Sequence, residues 1–313
     1  MKIAHISDLH LNTFYRDSHL KEIRTVLRYC KEHDVDHLVI TGDITDNASE
    51  VNLNIFRKSL AYFGFDSGEK VSVVIGNHDI YGGIQKAEEI FNFPERCRKT
   101  DYNKKVHSFN EIMNFSFENC VYLSSNNNYP YAKIIGNALF IGINSNAEYS
   151  TVTNPFASNG EVQQQQYDEI VKILNEFGNF AKHKIILIHH HFNKLNVAAK
   201  FSSAGLWHNI EKQTMKLRKK RKLISLFNDF GISMVLHGHL HNSHKYERHG
   251  QLFVNSGGAI KGLDSEKLKF HFITLDKNNI STQLKSINSN FFKDKTLIDM
   301  LSAKRLNAEL QNN

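Results

Sequence analysis

Five short blocks of this sequence carry side chains that bind metal ions or move protons, and each follows an apolar run. They are Asp8-Leu9-His10, Gly42-Asp43-Ile44-Thr45-Asp46, Gly76-Asn77-His78-Asp79, His189-His190-His191 and Gly238-His239-Leu240-His241. Taken singly, each has a plainer reading. An Asp after a strand caps a helix or forms a turn, and a lone buried histidine is a hydrogen-bonded core residue. Five strand ends that all carry carboxylate, amide or imidazole would need five such coincidences. Carboxylate, amide and imidazole donors without a thiolate make a set of intermediate hardness, which suits Mn, Fe, Zn, Co or Ni better than Ca or Mg. These donors outnumber what one ion takes. The count fits two ions sharing a bridging carboxylate, about 3.5–4 Å apart, an arrangement that activates water, clamps phosphate oxygens and neutralises charge during in-line attack.

The elements that must position these blocks follow from hydrophobic patterning. Residues 2–7, 37–41 and 71–75 read as buried strands, with helical spacing over 19–33 and 51–63 between them. Apolar strands separated by helices imply βαβ units and a sheet covered by helices. In such a sheet the strand C-termini converge on one crevice, so the polar blocks meet in space. The middle of the chain differs. From 106 to 143 the pattern gives short strand candidates at 119–123, 131–135 and 138–143, with Asn- and Gly-containing turns. A polar loop is expected over 144–159, then a helix over 162–177, a strand over 184–188, a helix over 213–230 and a strand over 233–236. Residues 245–285 read as a β-meander. The expectation is one large α/β domain over 1–289 and an amphipathic helical tail over 290–313.

Composition narrows the class. The 313 residues are 41% hydrophobic and 23% charged, an ordinary globular profile, and a chain of this size needs no disulfide staples. Cys30, Cys97 and Cys120 are odd in number and lack paired spacing, which points to buried thiols in a reducing compartment. No apolar run approaches the ~18–20 residues of a membrane-spanning helix, and the N-terminus turns polar too early for a signal peptide. A cytoplasmic location is therefore expected. Lys and Arg exceed Asp and Glu by 39 to 32, giving +7. That mild field suits an anionic substrate and is too weak by itself to imply nucleic-acid binding.

In this order the blocks resemble those of the calcineurin-like metallophosphoesterase superfamily: D-x-H, G-D-x-x-D, G-N-H-D, a histidine run and G-H-x-H, spanning residues 3 to about 260. The resemblance implies a four-layer α/β-β/α sandwich, with two mixed sheets face to face, helices outside and the metals at one edge. It implies that Asp8, His10, Asp43 and His241 hold a first metal, with Asp43 bridging. Asn77, His239 and one histidine of the run then complete the second. By analogy with the family's His-His-Pro-type blocks that histidine is His190; Phe192 stands where the proline would be, and His189 is the alternative. His78 would contact the substrate phosphate and protonate the leaving oxygen, a task suited to an imidazole near neutral pH. Asp46 is either an orienting carboxylate or a cap for the following helix. The implied cofactors are two divalent or mixed-valence transition metal ions, Mn, Fe or Zn.

Within the superfamily the chain looks closest to the class III cyclic-nucleotide phosphodiesterase branch. It has the early Gly42–Asp46 block, a helix before the histidine strand and another leading into Gly-His-x-His. That implies hydrolysis of small phosphodiesters, such as cyclic nucleotides, by a metal-bridging hydroxide. A UDP-linked diacyl sugar pyrophosphatase with a lid over 192–222, a phosphomonoesterase, a DNA nuclease and a non-catalytic scaffold are the alternatives. The partner expected is a small phosphoester, with no obligatory nucleic acid and a homodimer left open. Residues 216–222 read as the solvated face of a helix burying Leu217, Leu223, Ile224 and Leu226, with a phosphate- or membrane-surface patch as the alternative. Trp207 anchors a loop or stacks on a base or acyl chain, His237 packs at a strand end, and Asn144 and Ser145 border the site or form a turn.

Overall fold

Alternation of side chains along short apolar strands decides the architecture, because each strand of a covered sheet feeds two cores. The computed structural model describes residues 1–14, 16–84, 87–192, 215–259, 267–277 and 279–291. In chain order the elements are β1 (Lys2–Ile6), α1 (Asp17–Glu32), β2 (His37–Thr41), α2 (Glu50–Phe63), β3 (Val71–Val74) and α3 (Asn77–Tyr81). Next come α4 (Phe93–Lys99), α5 (Tyr102–Ile112), β4 (Tyr122–Leu123), β5 (Tyr131–Ile135), β6 (Ala138–Ile143), α6 (Gln164–Phe177) and β7 (His183–Ile188). The chain continues through α7 (Lys220–Asp229), β8 (Met234–His237), β9 (Ser243–Arg248), β10 (Gln251–Ser256), β11 (Lys267–Leu275) and β12 (Ile280–Asn288).

The strands form a five-stranded sheet, β12-β11-β1-β2-β3, and a seven-stranded sheet, β4-β5-β6-β7-β8-β10-β9. Both are mixed. The strands β1, β2 and β3 run parallel, as do β6, β7, β8 and β10, while the outer strands pair antiparallel. The sheets face each other, with β2 and β3 against β6 and β7. On β7, Ile185 and Leu187 enter the core between the sheets, whereas Ile186 and Ile188 enter the outer core with Ile170 and Ile173 of α6 and Leu223 and Phe227 of α7. This is the layered α/β sandwich expected. Parallel register levels the strand ends that matter: Ile6 pairs with Ile40, Thr41 with Val74, and Leu187 with Leu236.

Three expectations are corrected. Residues 102–112, expected to run into strand candidates from 106, form α5. Val106, Phe109 and Met113 are buried at helical spacing, and the Asp101 side chain accepts the Lys104 N–H as cap. The stretch 245–285 is not one meander, since β9 and β10 extend the seven-stranded sheet while β11 crosses to pair with β1, Ile3 opposite Ile273. The helix expected from 213 starts at Lys220; before it, Leu217 bridges to Gly160. Leu217, Leu223, Ile224 and Leu226 are buried as expected, and Arg218 and Lys219 pair with Glu161. Trp207, most of the lid over 192–222 and nearly all of the tail over 290–313 lie outside the described residues. All three cysteines are free, and among the described residues no helix is long and apolar enough to cross a membrane.

Candidate metal centre

The loops leaving β1, β2, β3, β7 and β8 meet at one edge of the sandwich, stitched by main-chain hydrogen bonds. Asp8 N–H donates to the Gly42 carbonyl at 3.1 Å, His10 N–H to the Asp43 carbonyl at 2.9 Å, and Gly238 N–H to the His189 carbonyl at 3.0 Å. The backbone turns sharply here. Asp8, His10, Asp43 and His239 have φ of 54°, 42°, 50° and 70°, a left-handed conformation that disfavours L-residues by roughly 1–2 kcal/mol each. Such strain concentrates at functional sites. Gly76 is required by close approach: a Cβ there would run into the Asp43 main-chain nitrogen and carboxylate.

Two donor sets converge on Asp43. On one side Asp43 Oδ2 lies 3.3 Å from His189 Nε2, which is 3.1 Å from both Asn77 Oδ1 and His239 Nδ1. On the other side His10 Nε2 lies 3.9 Å from Asp43 Oδ2 and 2.9 Å from His241 Nε2, and His241 Nε2 is 3.9 Å from Asp8 Oδ1. Asp8 also accepts the His239 main-chain N–H at 3.0 Å. His241 is the exposed member of these sets, while Asp8, Asp43, His189 and His239 are buried.

The histidine run yields a correction. His189, not His190, joins the cluster. Successive residues of an extended segment point to opposite faces, and His189 continues the inward set of Ile185 and Leu187. His190 stays beside the centre, its ring centroid 4.4 Å from that of His239, but its Nδ1 lies 2.8 Å from Ser145 Oγ, its ring packs against Gly160 and it joins neither donor set. His191 leaves the centre, with Nε2 2.9 Å from the Met215 carbonyl. His237 is buried with Nε2 3.0 Å from Tyr246 Oη. Asn144 is tied into a network with Gln166, Tyr102 and Asn146.

Asp46 and His78 form a second layer. Asp46 Oδ1 lies 3.4 Å from His78 Nδ1 and 3.5 Å from His10 Nδ1, so one carboxylate faces both rings. Asp46 does not cap α2; Ser49 does, accepting the Asn52 N–H. His78 N–H donates to Asp43 Oδ1 at 2.9 Å. Two residues received no role of their own in the sequence analysis. Buried Asp79 accepts from Thr45 N–H at 2.8 Å, Thr45 Oγ1 at 3.2 Å and Gly76 N–H at 3.0 Å, locking the Asp43 loop to the Asn77 loop. An acidic residue three positions after Gly76, at the start of a helix, was the available signal. His19 holds the His10 carbonyl through Nδ1 at 2.8 Å, and no motif marks it.

The charges show whether these residues fit metal ions. Burial opposes ionisation of Asp43, yet the His189, His78 and His10 rings hold its pKa well below the usual carboxylate range. Burial likewise opposes a charge on His189, but Asp43 outweighs it and the ring is raised to about 9. Burial pushes Asp79 up to about 6, helped by Asp43. Among the described residues the ion-pair partners of Asp8 and Asp43 are imidazoles. Buried carboxylates need counter-charge, and here the neighbouring bases must take up protons to supply it. Metal cations meet that demand and release the protons. The donor set fits.

A sequence profile described as calcineurin-like phosphoesterase matches residues 1–243. No curated protein sequence matches the chain significantly. Among solved structures, a dimetal phosphatase from Danio rerio superposes with a TM-score of 0.58 at 13% identity, covering 92% of this chain and 99% of that one. The purple acid phosphatase of yellow lupin (Lupinus luteus) seeds gives a TM-score of 0.56 at 12% identity, covering 93% of this chain and 52% of that one. At these identities the likeness is one of fold.

Proposed function

The chain belongs to the calcineurin-like phosphoesterase family, and on that footing we propose that it is a phosphodiesterase. Its substrates would be small phosphodiesters such as cyclic nucleotides, hydrolysed with a pair of transition metal ions, manganese, iron or zinc. The observation that carries the reading is the sharing of Asp43 between two donor sets. Asp8, His10, Asp43 and His241 would hold one ion, and Asp43, Asn77, His189 and His239 the other. When bound, such a pair supplies an activated water and neutralises charge on the phosphoryl oxygens.

The protein's own groups then divide the remaining work. Asp43 Oδ1 fixes the His78 main chain beside the centre. Asp46 faces His78 Nδ1 and so favours a proton there, which leaves Nε2 to face substrate and, when protonated, to donate to the departing alkoxide. Three free thiols, two of them buried, support a reducing compartment such as the cytoplasm.

The reading is tested by hydrolysis of bis-p-nitrophenyl phosphate and p-nitrophenyl phosphate with manganese-loaded and chelated protein. Metal-dependent turnover favouring the diester is expected. Preference for the monoester would make the protein a phosphatase, and silence on both substrates would remove the phosphodiesterase reading.

A further inference from the structure

Away from the metal centre, α1 and α2 border an open groove of about 1110 Å³. Lys21, Arg24, Arg28 and Lys31 of α1 line it, facing Tyr62 and Phe63 of α2. Spacings of three and four residues set the cations in one row on the helix, where like charges work against helix stability. Ordinary surface helices relieve such rows with interspersed carboxylates. Here Glu32 pairs with Arg28 at 2.9 Å, while among the described residues no carboxylate lies within ion-pair distance of Lys21, Arg24 or Lys31. Arg24 Nε donates to Ser59 Oγ at 3.4 Å and stays on the groove.

Three features identify the partner. The row runs about 15 Å along the helix, at 1.5 Å per residue, so it fits a chain of anionic groups better than a single compact one. Tyr62 is 78% exposed and is held edge-on by Phe63, with ring centroids 4.9 Å apart. It offers an open π face of the kind on which bases stack. The surface is concave, which suits a strand and not a flat bilayer. We infer that the α1–α2 groove binds single-stranded polynucleotide, with phosphates along the Lys21–Lys31 row and a base on Tyr62. The row begins two residues after His19, which holds the His10 loop, so one end of a bound strand lies toward the metal centre.

Binding at the groove needs neither metal nor turnover, so it is measured on the full chain in chelator. The probe is a fluorescein-labelled oligouridylate or oligothymidylate, read by anisotropy. Neutralising roughly three phosphates predicts a log–log salt slope near −2, or a loss of about 16-fold between about 50 and 200 mM salt. The triple variant K21E/R24E/K31E should abolish binding, and the milder K21Q/R24Q/K31Q should weaken it at least about tenfold. Tyr62→Ala should weaken it by about fivefold or more, as loss of a stacking partner does. None of these residues touches the metal centre, so all variants should hydrolyse a small diester as the parent does, which also shows that they fold. Absence of binding by the parent at low salt would overturn the inference. So would unchanged binding by the glutamine variant, or association with anionic phosphatidylserine vesicles in preference to the oligonucleotide.

Discussion

His78 is the residue whose removal separates chemistry from assembly. It meets the centre through its main chain, with N–H on Asp43 Oδ1, and through a ring that faces Asp46. His78→Ala keeps the main-chain bond, so metal content should be unchanged while kcat falls by about 10²–10⁴-fold, the usual scale of acid catalysis. Full activity in the variant would remove the ring from the mechanism. The histidine run supplies a sharper contrast. His189→Ala should weaken the second metal by more than the roughly 10–100-fold lost with supporting residues, measured by calorimetric titration of the chelated protein. His190→Ala should retain both metals and lose about 1–3 kcal/mol of stability instead, because its ring fills the space between Ser145 and Gly160. Asp8, His10, Asp43, Asn77, His239 and His241 were all legible as one constellation, since each ends an apolar strand. The choice within the run was not decided by motif analogy, because Phe192 occupies the position of the anchoring proline. What favours His189 is position: it follows Ile188 directly and groups with Asp43 and His239, which His190 does not.

At the level of elements, Gly160 is the backbone link between the β6–α6 loop and the segment before α7, beside the Asn159 and Glu161 side-chain contacts. Gly160 N–H donates to the Lys216 carbonyl at 2.9 Å and its carbonyl accepts the Arg218 N–H at 2.7 Å, so the loop pairs with the segment leading into α7. A Cβ at this position would lie 2.5 Å from His190 Cγ. Gly160→Ala should therefore destabilise the protein by about 1–3 kcal/mol, the scale of overpacking, read as a lower urea midpoint at unchanged m-value. Unchanged stability would mean that the His190 ring moves aside freely. The strand–helix alternation of the first third and the strands β5 and β6 were legible because period-2 and period-3.6 patterns are unmistakable there. The helix α5 was not. Its buried face is only Val106, Phe109 and Asn110, continued by Met113 at the C-cap, and the buried Asn interrupts the apolar stripe. The division of β9 to β12 between two sheets could not be read locally, because β11 finds its partner β1 at the far end of the chain.

Across the whole molecule, histidine is used as a neutral core residue as well as a ligand at the centre, and that sets the pH limits of the fold. His37 and His237 are lowered to about 3 and His271 to about 4, chiefly by burial. Their ring nitrogens are occupied in the neutral form: His37 faces the Glu69 carbonyl at 2.7 Å and Ser72 Oγ at 3.0 Å, and His271 faces Ser256 Oγ at 2.8 Å. For a base whose folded pKa is depressed, the unfolded chain binds the extra proton. Stability therefore rises with pH between the folded value and the unfolded value near 6.5, and is lost as pH falls through that window. At pH 5, about 1.5 units below the unfolded value, each ring withdraws roughly 2 kcal/mol. Asp79, raised to about 6, acts in the opposite sense between the ordinary carboxylate range and that value. His5, His190 and His239, also lowered by burial, reinforce the three rings. The net uptake of protons on unfolding stays positive. Urea midpoints of the chelated protein should therefore fall from pH 6.5 downward. The raised His189 gives the metal-free protein a second, alkaline slope. Its contribution is full below about 6.5 and is lost as pH rises through about 9, and bound metal should erase that slope by displacing the proton. A midpoint that stays flat from pH 6.5 to 5 would mean that the buried rings accept protons within the fold, and that the neutral histidine core does not limit its stability.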